Sequence, residues 1–426
     1  MRDHSQMSFV LSLILVSVSI QLSASDPSKT NWLLNVLLPP IGPEDANFKH
    51  NEVPPLVIVP GHVGNRLEAK LDKPAIVHWL CMKKSNYYFT LWLNLNMFLP
   101  IGIDCWIDNI RTTRRSSNSP GVEIRVPGFG KTYSVEYLDP FKLAGYLHTL
   151  VQFLVNTGYV RDDTVRAAPY DWRVAAYEQE EYFDKLKQLI EEMYTAHNKS
   201  VYLLGHSMGN LYILYFLKEQ SQEWKDKFIN GFISLGAPWG GTVKSLAVLA
   251  SGDNYGLALD LMKIRQQQRT TTTNPWLLPT SQAWPADHVF ISTPSYNYTY
   301  KDYRKFFTDI GYEDGWFKWQ HSKSFLTDLP PPGVELYCMY GTEVLTPMTY
   351  VYDENFPSNQ PIQIIYGGGD NTVNKRSLSL CGQWKDQQKQ KIHVIELRNK
   401  HHFDTIYDID ALQMIQDILL GNYSEH

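Results

Sequence analysis

A glycine-flanked serine is the residue pattern in this chain that most strongly indicates chemistry. Residues 205–209 read Gly-His-Ser-Met-Gly, which matches the G-x-S-x-G pattern of nucleophilic serines. The apolar run at 201–204 predicts a strand before the motif, and the pattern at 211–217 predicts a helix after it. On such a turn the hydroxyl projects from the sheet, and the two glycines avoid steric clashes. The motif therefore predicts that Ser207 is a nucleophile.

A serine hydroxyl is a weak nucleophile unless a base and an orienting carboxylate assist it. In enzymes with this motif the chain order is serine, acid, histidine. Asp370 follows the predicted strand at 362–366 in a glycine-rich turn and is the predicted acid, although an aspartate there could also serve only to form the turn. His401 and His402 both follow the last predicted strand, at 391–397, and position alone does not separate them.

Acyl transfer also needs two N–H donors for the oxyanion. The backbone N–H of Met208 is one candidate. The second is the N–H of His62, in the loop after the predicted strand at 55–59. The His62 side chain is either a titratable group near the site or an ordinary loop histidine.

Strand patterns alternate with helical patterns along the rest of the chain, which predicts an α/β fold with a mainly parallel sheet covered on both faces. Further strands are predicted at 229–235, 335–340, 362–366 and 391–397, and helices at 139–157, 178–196 and 408–420. Residues 251–279 break these patterns and are expected to be a long mobile segment.

Composition excludes several classes of protein. Of the 426 residues, 43% are hydrophobic and 19% are charged, which excludes a disordered or collagen-like chain. The net charge of -5 disfavours binding to nucleic acid. The 4 cysteines are too few for a disulfide-dense miniprotein and lack the spacing of a zinc site, so neither a metal nor another cofactor is expected.

The N-terminus predicts secretion. Arg2 and the apolar run at 9–20 are typical of a signal peptide ending near residue 24, with an uncleaved anchor as the alternative. Three glycosylation sequons agree with secretion, at Asn198, Asn297 and Asn422. The cysteines allow three pairings, of which we favour local closure: Cys81–Cys105 and Cys338–Cys381.

After the signal peptide, nearly the whole chain resembles the lecithin–cholesterol acyltransferase family and, more distantly, its lysosomal phospholipase A2 relative. The matching stretches include NWLLNVLLPP (31–40), GNRLEAKLDKP (64–74), VRAAPYDWR (165–173), SLGAPWGG (234–241), RTTTTNPW (269–276) and HVFISTPSYNYT (288–299). The resemblance implies an α/β-hydrolase fold with a cap domain over residues 25–426. It also implies a disulfide-stapled membrane-binding subdomain at about 79–106 and a mobile lid at about 240–279.

The resemblance also assigns roles to residues. It implies Ser207 as nucleophile and Asp370 as acid, and His402 falls in register with the family base. It favours Trp92, Phe98 and Leu99 as exposed lipid-binding residues, to which the aromatic content of the segment adds Trp79. Two positions depart from the acyltransferase pattern: His62 and Asn210 stand where that family has free cysteines, and the GHSMGN sequence and Asn374 are more like the phospholipase.

The activity implied is transfer of a fatty acyl chain from phosphatidylcholine to cholesterol. The implied partner is apolipoprotein A-I, as activator on the surface of high-density lipoprotein. One alternative is a phospholipase A that uses water or ceramide as acyl acceptor. Another is a catalytically silent lipid-binding protein, although the presence of all three triad residue types disfavours it.

Overall fold

The computed structural model describes residues 53–99, 102–113, 118–257 and 259–424, so the predicted signal peptide lies outside the described residues. The strands are β1 (Leu56–Val59), β2 (Leu67–Leu71), β3 (Phe89–Trp92), β4 (Val122–Arg125), β5 (Val165–Ala167), β6 (Val201–His206), β7 (Ile229–Leu235), β8 (Ile291–Ser292), β9 (Asn297–Tyr298), β10 (Leu336–Thr342), β11 (Val344–Val351), β12 (Gln363–Gly369) and β13 (Ile392–Arg398). The longer helices are Gly102–Ile110, His148–Asn156, Glu180–His197, Gly209–Lys218, Gln222–Phe228, Lys244–Ser251, Leu261–Gln268, Tyr303–Asp309, Glu313–Asp328 and Ile409–Leu419. Short helical turns and 3₁₀ segments lie at Leu95–Phe98, Tyr133–Glu136, Ala176–Glu178, Thr273–Trp276, Tyr300–Asp302, Lys375–Leu378, Ser379–Asp386 and Asp404–Tyr407.

Six parallel strands form the central sheet, in the order β13-β10-β7-β6-β1-β5. Every residue of β1 and β6 is buried, as expected for a parallel sheet that helices cover on both faces. The long helix Glu180–His197 turns Tyr182, Leu186, Leu189 and Met193 inward, as its 3.6-residue period predicts. The predicted fold class is confirmed: the chain has an α/β-hydrolase architecture.

One predicted strand belongs to a different sheet. β12 pairs antiparallel with β11 in a second, four-stranded sheet, in the order β12-β11-β8-β9. We expected the run at 362–366 to join the main sheet, but Ile365 and Tyr366 are exposed there. A strand with solvent-facing apolar residues does not fit a sheet covered on both faces, so its antiparallel edge position is the physically consistent one.

The helix predicted over 139–157 begins only at His148. Upstream of it, the Asp139 carboxylate accepts the backbone N–H groups of Phe141, Leu143 and Ala144 at 2.6–2.8 Å. An aspartate that bonds to the backbone in this way stabilises a turn in competition with a helix.

Residues 251–279, which break the sequence patterns and were expected to be a long mobile segment, contain helices. The helix Leu261–Gln268 begins after Asp260, whose side chain caps the N–H groups of Met262 and Lys263. The turn Thr273–Trp276 follows and is buried throughout. The polar composition that suggested a break in the pattern instead provides caps and buried hydrogen bonds.

The Glu136 carboxylate holds together the turn that leads into the helix at His148. It accepts bonds from His148 Nδ1 at 2.9 Å, Arg161 Nε at 2.9 Å and Thr132 Oγ1 at 2.7 Å. Burial alone would raise the pKa of Glu136, but these bonds outweigh burial and lower it from 4.5 to about 2.

We therefore expect Glu136→Gln to lower the free energy of unfolding by about 3 kcal/mol at pH 7. A depressed folded-state pKa stabilises only above the unfolded value of 4.5, and that stabilisation disappears as the pH falls toward 2. Urea unfolding should thus show the same deficit at pH 7 and pH 5 and a smaller one at pH 3.5. The exposed Glu354→Gln is the control, and a deficit independent of pH would contradict the assignment.

The segment at 79–106 contributes β3 to the three-stranded sheet β3-β2-β4. A disulfide joins Cys81 to Cys105, and a second joins Cys338 to Cys381, which are the pairings favoured above. No helix within the described ranges is long and apolar enough to cross a membrane.

Candidate active site

Ser207 lies on the sharp turn between β6 and the helix Gly209–Lys218. Its φ is 54°, in the left-handed region that non-glycine residues seldom adopt, and its N–H donates to Leu235 O at 2.8 Å. Gly209 packs so closely on β1 that an added Cβ would lie 2.4 Å from Val59 O and Pro60 O. The strained serine and the close backbone packing are the geometry that the motif predicts.

Asp370 and His402 form a buried hydrogen-bonded pair at the ends of β12 and β13. Asp370 Oδ2 lies 2.7 Å from His402 Nδ1, and both residues are almost fully buried. The other carboxylate oxygen accepts the N–H groups of Thr372 at 2.9 Å and Val373 at 2.7 Å. Because the carboxylate only accepts, His402 carries its proton on Nδ1, which leaves Nε2 as the basic nitrogen.

Two glycines allow the backbone to pack closely around this pair and around the serine. A Cβ on Gly236, which follows β7 with a φ of 59°, would lie 3.0 Å from His402 Nδ1. A Cβ on Gly61, just after β1, would lie 3.0 Å from the Ser207 Cβ. The carboxyl ends of β1, β6, β7 and β13 in the parallel sheet, together with the end of β12 in the second sheet, thus place nucleophile, base and acid at one end of the main sheet, where α/β proteins bind their ligands.

The structure separates the two histidines that the sequence leaves equivalent. His401 is half-buried, and its Nδ1 lies 3.4 Å from Asn371 Nδ2 rather than on a carboxylate. His402 also donates its backbone N–H to Asp370 O at 2.8 Å, which fixes the loop on which the ring sits. The geometry favours His402 as the base.

Each of the two candidate oxyanion donors comes one residue after a packed position: His62 follows Gly61, which packs against Ser207, and Met208 follows Ser207 itself. The N–H groups of Gly61 and Ser207 are already bonded: Gly61 N–H donates to Tyr146 Oη at 2.9 Å, and Ser207 N–H donates to Leu235 O. The next N–H along each segment belongs to His62 and to Met208. Met208 is also the N-cap of the following helix, where the helix dipole favours negative charge.

The His62 ring lies among aromatic rings, with centroids 5.6 Å from Trp172 and 6.4 Å from Tyr255. Burial lowers the pKa of His62 from 6.5 to about 4, with Asp253 opposing that shift and Lys244 adding to it. Within the described part of the chain, its Nε2 is buried without a hydrogen-bond partner. His62 is therefore a neutral side chain at pH 7, and the reading of an ordinary surface-loop histidine does not fit this environment.

One expected lipid-binding residue is misassigned. Trp92 is only 2% exposed, since its indole N–H donates to Val63 O at 2.8 Å and its ring packs against Trp106 and Trp172. Phe98, edge-on to Trp92 and Trp106, is half-buried, as is Leu99.

The exposed apolar side chains of this segment cluster instead around Cys81, where Trp79 is 78% exposed. They are Val77, Trp79, Leu80, Met82 and Tyr87. A cluster of this kind on a disulfide-anchored loop is typical of a surface that binds another apolar phase.

Two residues near the site escaped the sequence reasoning. Tyr146 bonds to Gly61 and to His206, and Gly236 packs on His402. Tyr146 lies in a segment that reads as helix, and no local motif marks either residue, because their roles arise only from contacts between distant segments. Among the described residues, no group of three His, Cys, Asp or Glu side chains could hold a metal ion.

Comparison with known proteins agrees with this architecture. A family model described as lecithin:cholesterol acyltransferase matches residues 88–416. The chain is 61% identical over 405 residues to phosphatidylcholine-sterol acyltransferase of Gallus gallus, covering 94% of this chain and 98% of that protein. It is 56% identical over 405 residues to the Homo sapiens protein of the same name, covering 94% and 92%.

A second group of relatives is somewhat more distant. The chain is 50% identical over 376 residues to lysosomal phospholipase A and acyltransferase of Homo sapiens, covering 86% of this chain and 91% of that protein. Because the family match spans most of the chain and the relatives align over nearly their full lengths, this chain belongs to the lecithin:cholesterol acyltransferase family.

Proposed function

We propose that this chain transfers a fatty acyl chain from phosphatidylcholine to cholesterol through an acyl-Ser207 intermediate. Ser207 Oγ attacks the ester carbonyl while His402 Nε2 takes its proton, and the oxyanion is held by the N–H groups of His62 and Met208. Lysophosphatidylcholine leaves with the proton from His402. The 3-hydroxyl of cholesterol then attacks the acyl-serine, His402 again acting first as base and then as acid.

The observation that carries this proposal is the buried Asp370–His402 pair at the same sheet edge as the strained Ser207. This is the arrangement that activates a serine for covalent acyl transfer. The sterol acceptor rests on similarity: the chain is 61% and 56% identical to proteins named as sterol acyltransferases, against 50% for the lysosomal phospholipase.

A phospholipase A that passes the acyl chain to water or ceramide is the second candidate. The 50% identity to lysosomal phospholipase A and acyltransferase supports it. Both candidates share the acyl-serine step and differ only in the acceptor.

The test follows an sn-2 acyl label on phosphatidylcholine–cholesterol particles, with and without apolipoprotein A-I, and with Ser207→Ala as the blank. Label in cholesteryl ester that rises with the apolipoprotein supports the sterol acyltransferase. Label that reaches only free fatty acid or acylceramide supports the phospholipase.

We also propose that the protein is secreted and works on lipoprotein surfaces, with residues 79–106 contacting lipid and residues 240–279 serving as the lid. Support comes from the predicted signal peptide and from the exposure of all three sequon asparagines, Asn198, Asn297 and Asn422. Detection of the glycosylated chain in the medium of expressing cells, starting near residue 25, is the test.

Trp79→Ala combined with Leu80→Ala is expected to weaken binding to phosphatidylcholine vesicles by about tenfold or more, because each substitution removes an exposed apolar side chain from the lipid contact. Hydrolysis of a soluble ester should stay unchanged. Vesicle cosedimentation and ester turnover measure the two effects.

Phe317→Ala, at an exposed aromatic residue on the helix Glu313–Asp328, is the matched control and should bind normally. Equal losses on vesicles and soluble ester would argue against a lipid-anchoring role for Trp79 and Leu80.

A further inference from the structure

A buried chain of hydrogen bonds links the three segments that carry the proposed catalytic groups. Gly61 N–H donates to Tyr146 Oη at 2.9 Å, and Tyr146 Oη lies 2.5 Å from His206 Nδ1. On the other side of its ring, His206 Nε2 lies 3.3 Å from His402 O. Tyr146 and His206 are both nearly inaccessible to solvent.

Hydrogen-bonding rules fix the direction of this chain. Tyr146 Oη accepts from Gly61 N–H, so its single proton is free to be donated to His206 Nδ1. A neutral imidazole that accepts at Nδ1 carries its proton on Nε2, and this proton points at the carbonyl of His402.

Both groups are held in these protonation states. Burial raises the pKa of Tyr146 far above its usual value. Burial, and secondarily the positive charge on His402 when protonated, lowers the pKa of His206 well below 6.5. The chain therefore runs in one direction, from Gly61 to Tyr146, to His206, to His402, without an unpaired atom.

We propose that Tyr146 and His206 are positioning residues that set the oxyanion loop, the nucleophile turn and the base loop in register with one another. Each bonded residue is a catalytic group or its neighbour: Gly61 precedes the donor His62, His206 precedes Ser207, and His402 is itself the base. Neither side chain is assigned contact with substrate.

The packing around Tyr146 supports a positioning role over a merely space-filling one. A Cβ on Gly61 would lie 3.0 Å from both Tyr146 Oη and Ser207 Cβ, so the tyrosine hydroxyl sits in the same tight space as the nucleophile. The Phe403 ring, adjacent to His402, lies 6.4 Å from Tyr146 and 5.6 Å from His206 and closes the cluster. A shift of Gly61 therefore moves the oxyanion donor relative to Ser207.

The first test is Tyr146→Phe, which removes one hydroxyl and leaves two bonds unmade. Displacement of catalytic groups by about 1 Å costs roughly a hundredfold in rate, so we expect kcat on a soluble ester to fall by about ten- to a hundredfold. KM should be unchanged, and the rate of fluorophosphonate labelling of Ser207 should fall in parallel with kcat.

Tyr182→Phe is the matched control, because Tyr182 is as fully buried and its hydroxyl donates to Ala168 O at 3.1 Å. It should lose a similar amount of thermal stability and keep wild-type kcat. If Tyr146→Phe also keeps wild-type kcat and labelling rate, the proposal is overturned.

His206→Phe and the double variant Tyr146→Phe/His206→Phe extend the test. Since the two side chains act through one chain, the double variant should be about as slow as the slower single variant, not the product of the two losses. His206→Asn retains an acceptor for Tyr146 and should recover part of the rate lost in His206→Phe. Multiplicative losses, or no recovery with Asn, would contradict a shared positioning role.

Stability is separated from positioning by measuring every rate on protein whose near-ultraviolet circular dichroism matches the wild type. If Tyr146→Phe does not fold, the comparison of kcat between His206→Asn and His206→Phe tests the proposal alone. Labelling by a fluorophosphonate involves no acyl acceptor. The inference therefore stands or falls independently of whether cholesterol, ceramide or water receives the acyl chain.

Discussion

His402→Ala is expected to lower kcat on the order of ten-thousandfold or more, on lipid particles and on soluble esters alike, with little change in KM. The Asp370 carboxylate lies 2.7 Å from His402 Nδ1, which leaves Nε2 of this ring as the nitrogen that takes the proton of Ser207 in the proposed mechanism. Without it, the serine stays a weak nucleophile and the leaving group receives no proton.

His401→Ala is the matched control for this prediction. The neighbouring ring contacts Asn371 instead of a carboxylate, and its loss should change kcat by no more than a few-fold. Steady-state turnover of a soluble ester, with folding checked by circular dichroism, decides between them. A large loss in His401→Ala with activity retained in His402→Ala would reverse the assignment of the base.

Asp370→Asn is expected to lower kcat by about ten-thousandfold while leaving the fold intact. The amide can still accept the N–H groups of Thr372 and Val373, so the turn keeps its bonds. An amide NH₂ facing His402 Nδ1, however, favours the tautomer with its proton on Nε2, and that tautomer cannot accept the proton of Ser207.

Asp404→Asn is the matched control and tests whether losing another carboxylate near His402 has the same effect. Asp404 Oδ2 accepts His401 N–H at 2.6 Å, a bond that an amide oxygen also accepts, so kcat should stay near wild type. Ester turnover together with fluorophosphonate labelling gives the comparison. Near-normal labelling of Asp370→Asn would show that Asp370 does not orient the base.

Local patterns predicted the elements that are covered on both faces and the position of the nucleophile. β1, β6, β7 and β10 were predicted correctly because short, largely apolar runs are typical of strands buried in a parallel sheet. β13 was also predicted, although it lies at the sheet edge and exposes Glu396 and Arg398. The Gly-x-Ser-x-Gly spacing marks a strand-to-helix turn for steric reasons that act within five residues, so Ser207 could be predicted as the nucleophile without reference to other segments.

Elements whose environment depends on distant partners were predicted less well. The resemblance favoured Trp92 as an exposed lipid-binding residue, yet Val63 O and the ring of Trp172 bury it. The run at 362–366 forms a strand as predicted, but it lies at the edge of a second sheet and not in the main one. In both cases burial is set by contacts with residues far along the chain, which periodicity does not encode.

The sequence by itself determined the fold class and the family and gave candidates for the nucleophile and the acid, because these depend on short patterns or on similarity over the whole length. Only the tertiary structure separated His402 from His401, gave the His62 imidazole its buried aromatic surroundings, and joined Tyr146 to Gly61 and His206. Adjacent histidines have the same local chemistry, and a difference between them arises only when Asp370 is brought to one of them. Hydrogen bonds between segments that are distant in sequence form only when the sheet packs, so the proposed site is a property of the tertiary structure.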